Sequence, residues 1–406
     1  MDIVDIFEEM ITTGQPPNDN CSLLGVGYDE ALKRLEKVYL YRGFERGKSA
    51  EKFIIGPYGS GKTHFLRQLL ERGRQIDCVT AEVPLSRDVD ISKPLLVYKE
   101  VAREIRAPGQ QGKGLKNFLR NICQKLRAES EIEDPNLADD YLQSRIDAFD
   151  DIHFEDEQFR KVAARTLKAD LRDEYEIYEN GCRWLSGEVN EKLVAKSLGV
   201  GRIPVSEQDS YGRRALLCLC QFAKTINYRG TIIGFDEAEQ AINVPRKKVQ
   251  RILSMARAEI DSISRVKNAA VMIVYAFTPD VVQGMQAYPA LQQRLAEPDP
   301  ENRFFDGNSY SPRIELDQIK LDSLEFLEQI SEHLINLFYT EYGNKLTQFK
   351  EDILVDSRDW AEEISARSPS ISNRREIVKL TCSKLLQLYG GNFDLSSSPN
   401  PGDAEV

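Results

Sequence analysis

Gly56-Pro57-Tyr58-Gly59-Ser60-Gly61-Lys62-Thr63 fits the pattern G-x-x-x-x-G-K-[ST], and its surroundings decide the fold. Lys52-Phe53-Ile54-Ile55 before it reads as a short buried strand. After it, Phe65, Leu66, Leu69 and Leu70 recur on one face of a helix. Strand, glycine turn and helix in that order make a phosphate loop. The glycines let successive N–H groups converge on phosphate oxygens at a helix N-terminus. Lys62 can reach the β- and γ-phosphates of ATP, and the Thr63 hydroxyl can ligate Mg²⁺. The competing reading, an ordinary glycine-rich strand-to-helix turn, does not require the Lys-Thr pair.

A phosphate loop needs a second strand bearing carboxylates. Ile232-Ile233-Gly234-Phe235-Asp236-Glu237 supplies one. Asp236 would hold Mg²⁺ through water and Glu237 would polarise the attacking water, so the pairing favours hydrolysis over simple phosphoryl transfer. Acids also end strands for solubility, and the reading draws its weight from the loop. Two more strands are predicted, at Cys78 to Leu85 and at Ala269 to Phe277. The second is apolar enough for the centre of a parallel sheet. Thr278, at its end, could contact the γ-phosphate or the water, or merely close a Thr-Pro turn. Strands alternating with helices give an α/β class.

The predicted divisions are an N-terminal helical lead-in over 1–50, a core over 51–305, helices over 306–392 and a disordered tail over 393–406. A mostly helical insertion occupies about 94–228 of the core, and its acidic stretch from Glu129 to Glu157 reads as a solvated helix or partly ordered linker.

With 41% hydrophobic and 29% charged residues, the chain can bury a substantial core. No apolar run approaches the ~20 residues of a membrane span, and MDIVDIFEEM lacks the basic region of a secretory signal. Seven scattered cysteines suggest reduced thiols, and three histidines leave no histidine-rich zinc site. A soluble, cytoplasmic protein is expected. Its net charge of −11 opposes nonspecific adhesion to nucleic acid. The best local basic cluster, Arg246, Lys247, Lys248 and Arg251 with Arg257, could still touch a phosphate backbone or an acidic partner. The Lys113, Lys116 and Arg120 face is weaker. Arg294, Arg374 and Arg375 could each reach a nucleotide, or could be surface charge.

Taken together, these segments resemble the ATP-binding proteins of bacterial BREX-type phage-exclusion systems, which are P-loop proteins related to the origin-recognition branch of the AAA+ ATPases. The resemblance rests on Gly25-Val26-Gly27-Tyr28-Asp29-Glu30, the phosphate loop with its extension His64-Phe65-Leu66, and Ala81-Glu82-Val83-Pro84-Leu85-Ser86. It continues through Arg183-Trp184-Leu185-Ser186-Gly187, Asp236-Glu237-Ala238-Glu239, Tyr288 to Leu295 and Asn373-Arg374-Arg375-Glu376-Ile377. It implies an AAA+-like P-loop NTPase core, a parallel sheet with a large helical insertion and a C-terminal helical lid, working with ATP and Mg²⁺ beside a helicase or other DNA-processing partners. By the same resemblance Gly25 to Glu30 lie near the adenine and residues 56–64 cradle the phosphates. Thr278 takes a sensor position, Arg294 an arginine-finger position serving its own or a neighbouring copy's site, and Arg374 or Arg375 a lid-sensor position. Two functional readings follow: an ATP-hydrolysing motor or loader open to assembly as a homo-oligomer, and a nucleotide-gated switch that recruits a partner with little turnover of its own. A small-molecule kinase would need an acceptor pocket and a set of lid arginines that the sequence does not display.

Overall fold

The computed structural model describes residues 2–85, 93–130, 134–237, 263, 265–286, 292–293, 295–318, 323–346, 348–367 and 373–390. The chain forms two compact units. The first comprises Met1–Asp29, Pro57–Phe65 and Leu316–Val406; the second comprises Glu30–Gly56 and Leu66–Glu315. The chain therefore crosses between units four times, and Pro57–Phe65 is grouped with the first and last segments of the chain.

The second unit is built on a six-stranded, mostly parallel sheet. Its strands are β1 (Ala50–Ile55), β2 (Cys78–Pro84), β3 (Ile105–Arg106), β4 (Gly230–Asp236), β5 (Val271–Phe277) and β6 (Arg313–Glu315). Their order is β3-β2-β4-β5-β1-β6, and only β3, against β2, is antiparallel. Every residue of β4 and β5 is buried, as expected for strands covered on both faces. Phe53, Tyr275 and Phe235 stand in register on β1, β5 and β4. Their rings stack at centroid distances of 5.7 and 5.1 Å. Slipping any of the three strands by one residue would turn its ring to the opposite face, so the row fixes their register.

The helix Lys62–Gln75 follows the loop, and from Leu66 onward it belongs to this unit. Leu66 packs directly on Gly234 of β4, where an added Cβ would lie 2.6 Å from a Leu66 methyl; Gly73 meets Ile232 in the same way, at 2.5 Å. Bare backbone at these two points lets the helix approach the acid-bearing strand closely. Arg67 Nε donates to Glu82 on β2 at 2.8 Å, with both side chains largely shielded from solvent.

β6 is a strand that the sequence reading misses, because three residues are too few to show a period. Its loop is held from β1. Lys52 is 1% exposed; its ammonium donates to the carbonyls of Ser309 and Ser311 and sits 4.5 Å from the Tyr39 ring centroid. Burial pushes the Lys52 ammonium down to about 7, opposed by the nearby Glu297 carboxylate.

The insertion is helical and shares the sheet's core. Its principal helices are Pro94–Glu104, Leu115–Ser130, Pro135–Asp147, Glu157–Leu171, Tyr175–Leu185 and Gln208–Thr225. In the described part of the acidic stretch the helical alternative holds: Pro135–Asp147 is a helix with Asp139 and Asp147 toward solvent, while Leu142, Ile146, Phe149 and Phe154 are buried in that core. The Lys113 and Lys116 ammoniums pair with Glu104 and Glu179, and Arg120 lies over the Tyr178 ring. Two of the three cations on that face are thus paired with carboxylates.

The first unit joins the two ends of the sequence. Ile3, Ile6, Phe7 and Met10 of the helix Ile3–Thr13 share a core with Leu334, Ile335 and Phe338 of Ser323–Tyr342 and with Cys382 and Leu385 of Asn373–Gly390. Phe7 stacks on Phe338 at 5.4 Å, and Asp2 caps the first helix. Lys350–Arg367 contributes Ile353 to the same core, while its Ala361 and Ile364 pack with Leu327 and Ile377. All seven cysteines are buried and free. No described helix is long and apolar enough to cross a membrane.

Two outcomes test this packing. Gly234→Ala is expected to cost about 1–3 kcal/mol in urea unfolding through overpacking, and Leu66→Ala in the same chain should remove most of that added penalty. For Lys52, the unfolded chain binds one more proton than the folded chain between about pH 7 and the ordinary lysine value near 10.4. Wild-type stability should therefore rise relative to Lys52→Met as pH increases from 7 to 9, by up to about 1.4 kcal/mol per pH unit. A difference that stays flat across unfolding curves at pH 6, 7.5 and 9 would refute the assignment.

Candidate functional site

In the sheet unit, three adjacent parallel strands present polar residues at their carboxyl ends. β1 ends at Ile55, and the N–H of Gly56, the first loop residue, donates to the Phe277 carbonyl at 3.1 Å, so the loop starts beside Thr278 at the end of β5. Thr278 is 7% exposed, and its carbonyl accepts from Val281 N–H in the first turn of Pro279–Gln286. One strand further, β4 ends at Asp236, which is 5% exposed. Its backbone carbonyl accepts from Leu85 N–H at 2.8 Å. Glu237 follows with φ +53°, a left-handed conformation uncommon for a residue with a side chain and concentrated at functional turns. β5 thus separates the loop strand from the acid strand, and two strand spacings amount to about 10 Å. The chain leaves β1 toward β2 and leaves β5 toward β6 on the other side. The carboxyl ends of β1 and β5 therefore mark a switch point, the place where open α/β sheets bind ligands.

In the helical unit, the loop itself is formed. Ser60 N–H donates to the Pro57 carbonyl at 3.2 Å, closing a turn, and Phe65 N–H bonds the Gly61 carbonyl at 2.8 Å as the helix begins. Gly59 and Gly61 have φ +80° and +92°, values that glycine adopts without strain. Lys62 is 8% exposed. Its ammonium donates to the Pro57 carbonyl at 3.2 Å and lies 5.3 Å from the Tyr58 ring centroid; it is folded back over the turn. The Tyr58 ring is 69% exposed. The Ser60 hydroxyl is buried without a hydrogen-bond partner among the described residues. A turn of glycines in these conformations, a helix start and a lysine folded over it suit an anionic phosphate chain.

Beneath the loop lies a cluster drawn from distant parts of the sequence. Tyr28, 3% exposed, donates its hydroxyl to the Ser60 carbonyl at 3.3 Å. Arg374 Nη1 donates to the same carbonyl at 2.7 Å and to the Tyr28 oxygen at 3.4 Å. The Arg374 guanidinium lies 4.4 Å from the Phe326 ring centroid. Burial raises the Tyr28 phenol's pKa, with Arg374 opposing it, so the phenol is a neutral donor at physiological pH. His64 Nε2 faces the Cys21 carbonyl at 3.1 Å. A carbonyl only accepts, so that nitrogen carries the proton. Gly25, Val26 and Gly27, with Gln329, Glu332, His333 and Asn336, line an open depression of about 320 Å³.

Of the paired arginines, Arg374 engages the loop, whereas Arg375 is exposed. Arg294, Arg246, Lys247, Lys248, Arg251 and Arg257 lie outside the described residues, as do the tail and most of the Tyr288 to Leu295 segment. No cluster of metal-ligating side chains occurs among the described residues. Sequence reasoning misses Phe326, which reads as an ordinary helix core position, and the Arg67–Glu82 pair, which lies on two elements with no shared pattern.

A family model described as BREX system ATP-binding protein BrxC/D matches residues 5–380. No curated protein and no solved structure matches the chain.

The Arg67–Glu82 pair anchors the loop's helix to β2. Arg67→Met should cost about 1–3 kcal/mol by leaving a shielded carboxylate without its partner, measured by urea unfolding. Glu82→Gln in the same chain should recover part of that loss. An Arg67→Met protein as stable as wild type would show that the pair does not hold the helix.

Proposed function

The chain belongs to the family of BREX system ATP-binding proteins, and from that premise we propose that it binds ATP with Mg²⁺ and hydrolyses it as an AAA+-type ATPase within a bacterial anti-phage defence assembly. What carries the reading is the loop: left-handed Gly59 and Gly61 lead directly into a helix whose first residue is Lys62. That is the backbone a phosphate chain requires. The order of β1, β5 and β4, with Thr278, Asp236 and Glu237 at their ends, supports the AAA+ assignment, as does the left-handed backbone of Glu237.

The roles follow from the motif. Residues 56–64 hold the phosphates, with Lys62 toward the β- and γ-oxygens, and Gly25 to Gly27 border the base. Thr63 and Asp236 hold Mg²⁺, which when bound neutralises charge developing on the phosphate oxygens. Glu237 accepts the proton of the attacking water and Thr278 orients that water. Arg374 senses the occupied loop, and Arg294 contributes positive charge in its own copy or a neighbour's. The protein acts beside helicase or other DNA-processing proteins, and Arg246, Lys247, Lys248 and Arg251 are its candidate DNA contacts.

The test is ATP binding and steady-state turnover, with and without duplex DNA. Lys62→Ala should abolish nucleotide binding. Glu237→Gln should bind ATP with wild-type affinity and lose at least about a hundredfold in turnover, the scale of general-base catalysis. Robust turnover by Glu237→Gln would remove Glu237 from that role. ATP binding by wild type with no turnover in either condition would leave a nucleotide-gated switch as the function.

A further inference from the structure

The geometry points to Tyr28 as a positioning residue for the phosphate loop, acting with Arg374 through the carbonyl of Ser60. In its effect on nucleotide this inference rests on the ATP-binding reading; in its effect on the loop it does not.

The Ser60–Gly61 peptide immediately precedes the Gly61–Lys62 peptide that opens the helix, and its orientation sets where the Gly61 N–H points. That peptide's carbonyl accepts two donors, Tyr28 Oη at 3.3 Å and Arg374 Nη1 at 2.7 Å, and the donors bond each other at 3.4 Å. A closed triangle of this kind fixes direction better than a single bond, because each member restrains the others. Both donors are themselves held. The Tyr28 ring is buried edge-on against Phe65 at 5.3 Å and Phe326 at 6.4 Å, and Arg374 rests on Phe326. Packing adds a second restraint. A Cβ on Gly61 would lie 2.8 Å from the Tyr28 hydroxyl, so the phenol fills the space directly beneath the glycine and blocks the peptide from rotating down. With its carbonyl drawn toward Tyr28 and Arg374, the peptide presents its N–H on the opposite side. Arg374 thereby ties the state of the loop to the helix Asn373–Gly390.

Tyr28→Phe keeps the ring and deletes only the hydroxyl. Hydrogen exchange of the nucleotide-free protein should show the amides of residues 59–63 exchanging about tenfold faster, the scale of one hydrogen bond, while those of 67–75 are unchanged. The dissociation constant for Mg·ATP, by titration calorimetry, should rise by a similar factor, with kcat far less affected than KM. Arg374→Lys, which keeps a donor, should bind ATP more tightly than Arg374→Ala. Unchanged loop exchange in Tyr28→Phe, acceleration spread over the whole first unit, or faster loop exchange with unaltered ATP affinity would each overturn the proposal. If wild type binds no ATP, the ATP reading fails, and loop exchange alone then decides whether Tyr28 positions the loop.

Discussion

Strands covered on both faces expose polar groups to ligands chiefly where they leave the core, and that constraint organises the second unit. β4 and β5 are buried throughout, so their chemistry is confined to Asp236, Glu237 and Thr278, where each strand leaves the core. The aromatic row of Phe235, Tyr275 and Phe53 fixes the register of β4, β5 and β1 and thereby the level at which each strand ends. Gly234 and Gly73 then let the loop's helix settle close to the acid strand, where any side chain would hold it away.

Two shielded charges inside this framework are held by named partners. Lys52 donates hydrogen bonds to two carbonyls and sits over the Tyr39 ring; Arg67 meets Glu82. Lys52 reinforces the approach of the Ser309–Ser311 loop to β1 beside the β1–β6 pairing, and Arg67 ties the loop's helix to β2, which no backbone ladder joins. Breaking one side of such a pair leaves a shielded charge, which costs more than the intact pair contributes.

In the first unit the polar centre is a backbone oxygen. The carbonyl of Ser60 collects Tyr28 from the N-terminal segment and Arg374 from the last helix, while the helix Ile3–Thr13 packs with the C-terminal helices around Phe338. Residues nearly the whole chain apart therefore set both the core of this unit and the underside of the loop. A glycine at position 61 is required twice over, by its φ of +92° and by the phenol beneath it.

The strands β1, β2, β4 and β5, the loop and the acid pair were legible from local pattern alone, because buried strands are continuous apolar runs and the glycine turn has a fixed spacing. β6 was not, being three residues long, and in the acidic stretch the helix was legible but its packing into the core was not, because its charges outnumber the few apolar residues that it buries. The roles of Tyr28, Phe326 and Arg374 around Ser60, the partners of Lys52 and the choice of Arg374 over Arg375 could not be read from the chain. By itself the sequence determined which segments become strand, turn and helix, since those follow from neighbours within a few residues. Only the tertiary structure decided which distant side chains meet a given backbone oxygen, since that depends on how the packed elements bring remote segments together.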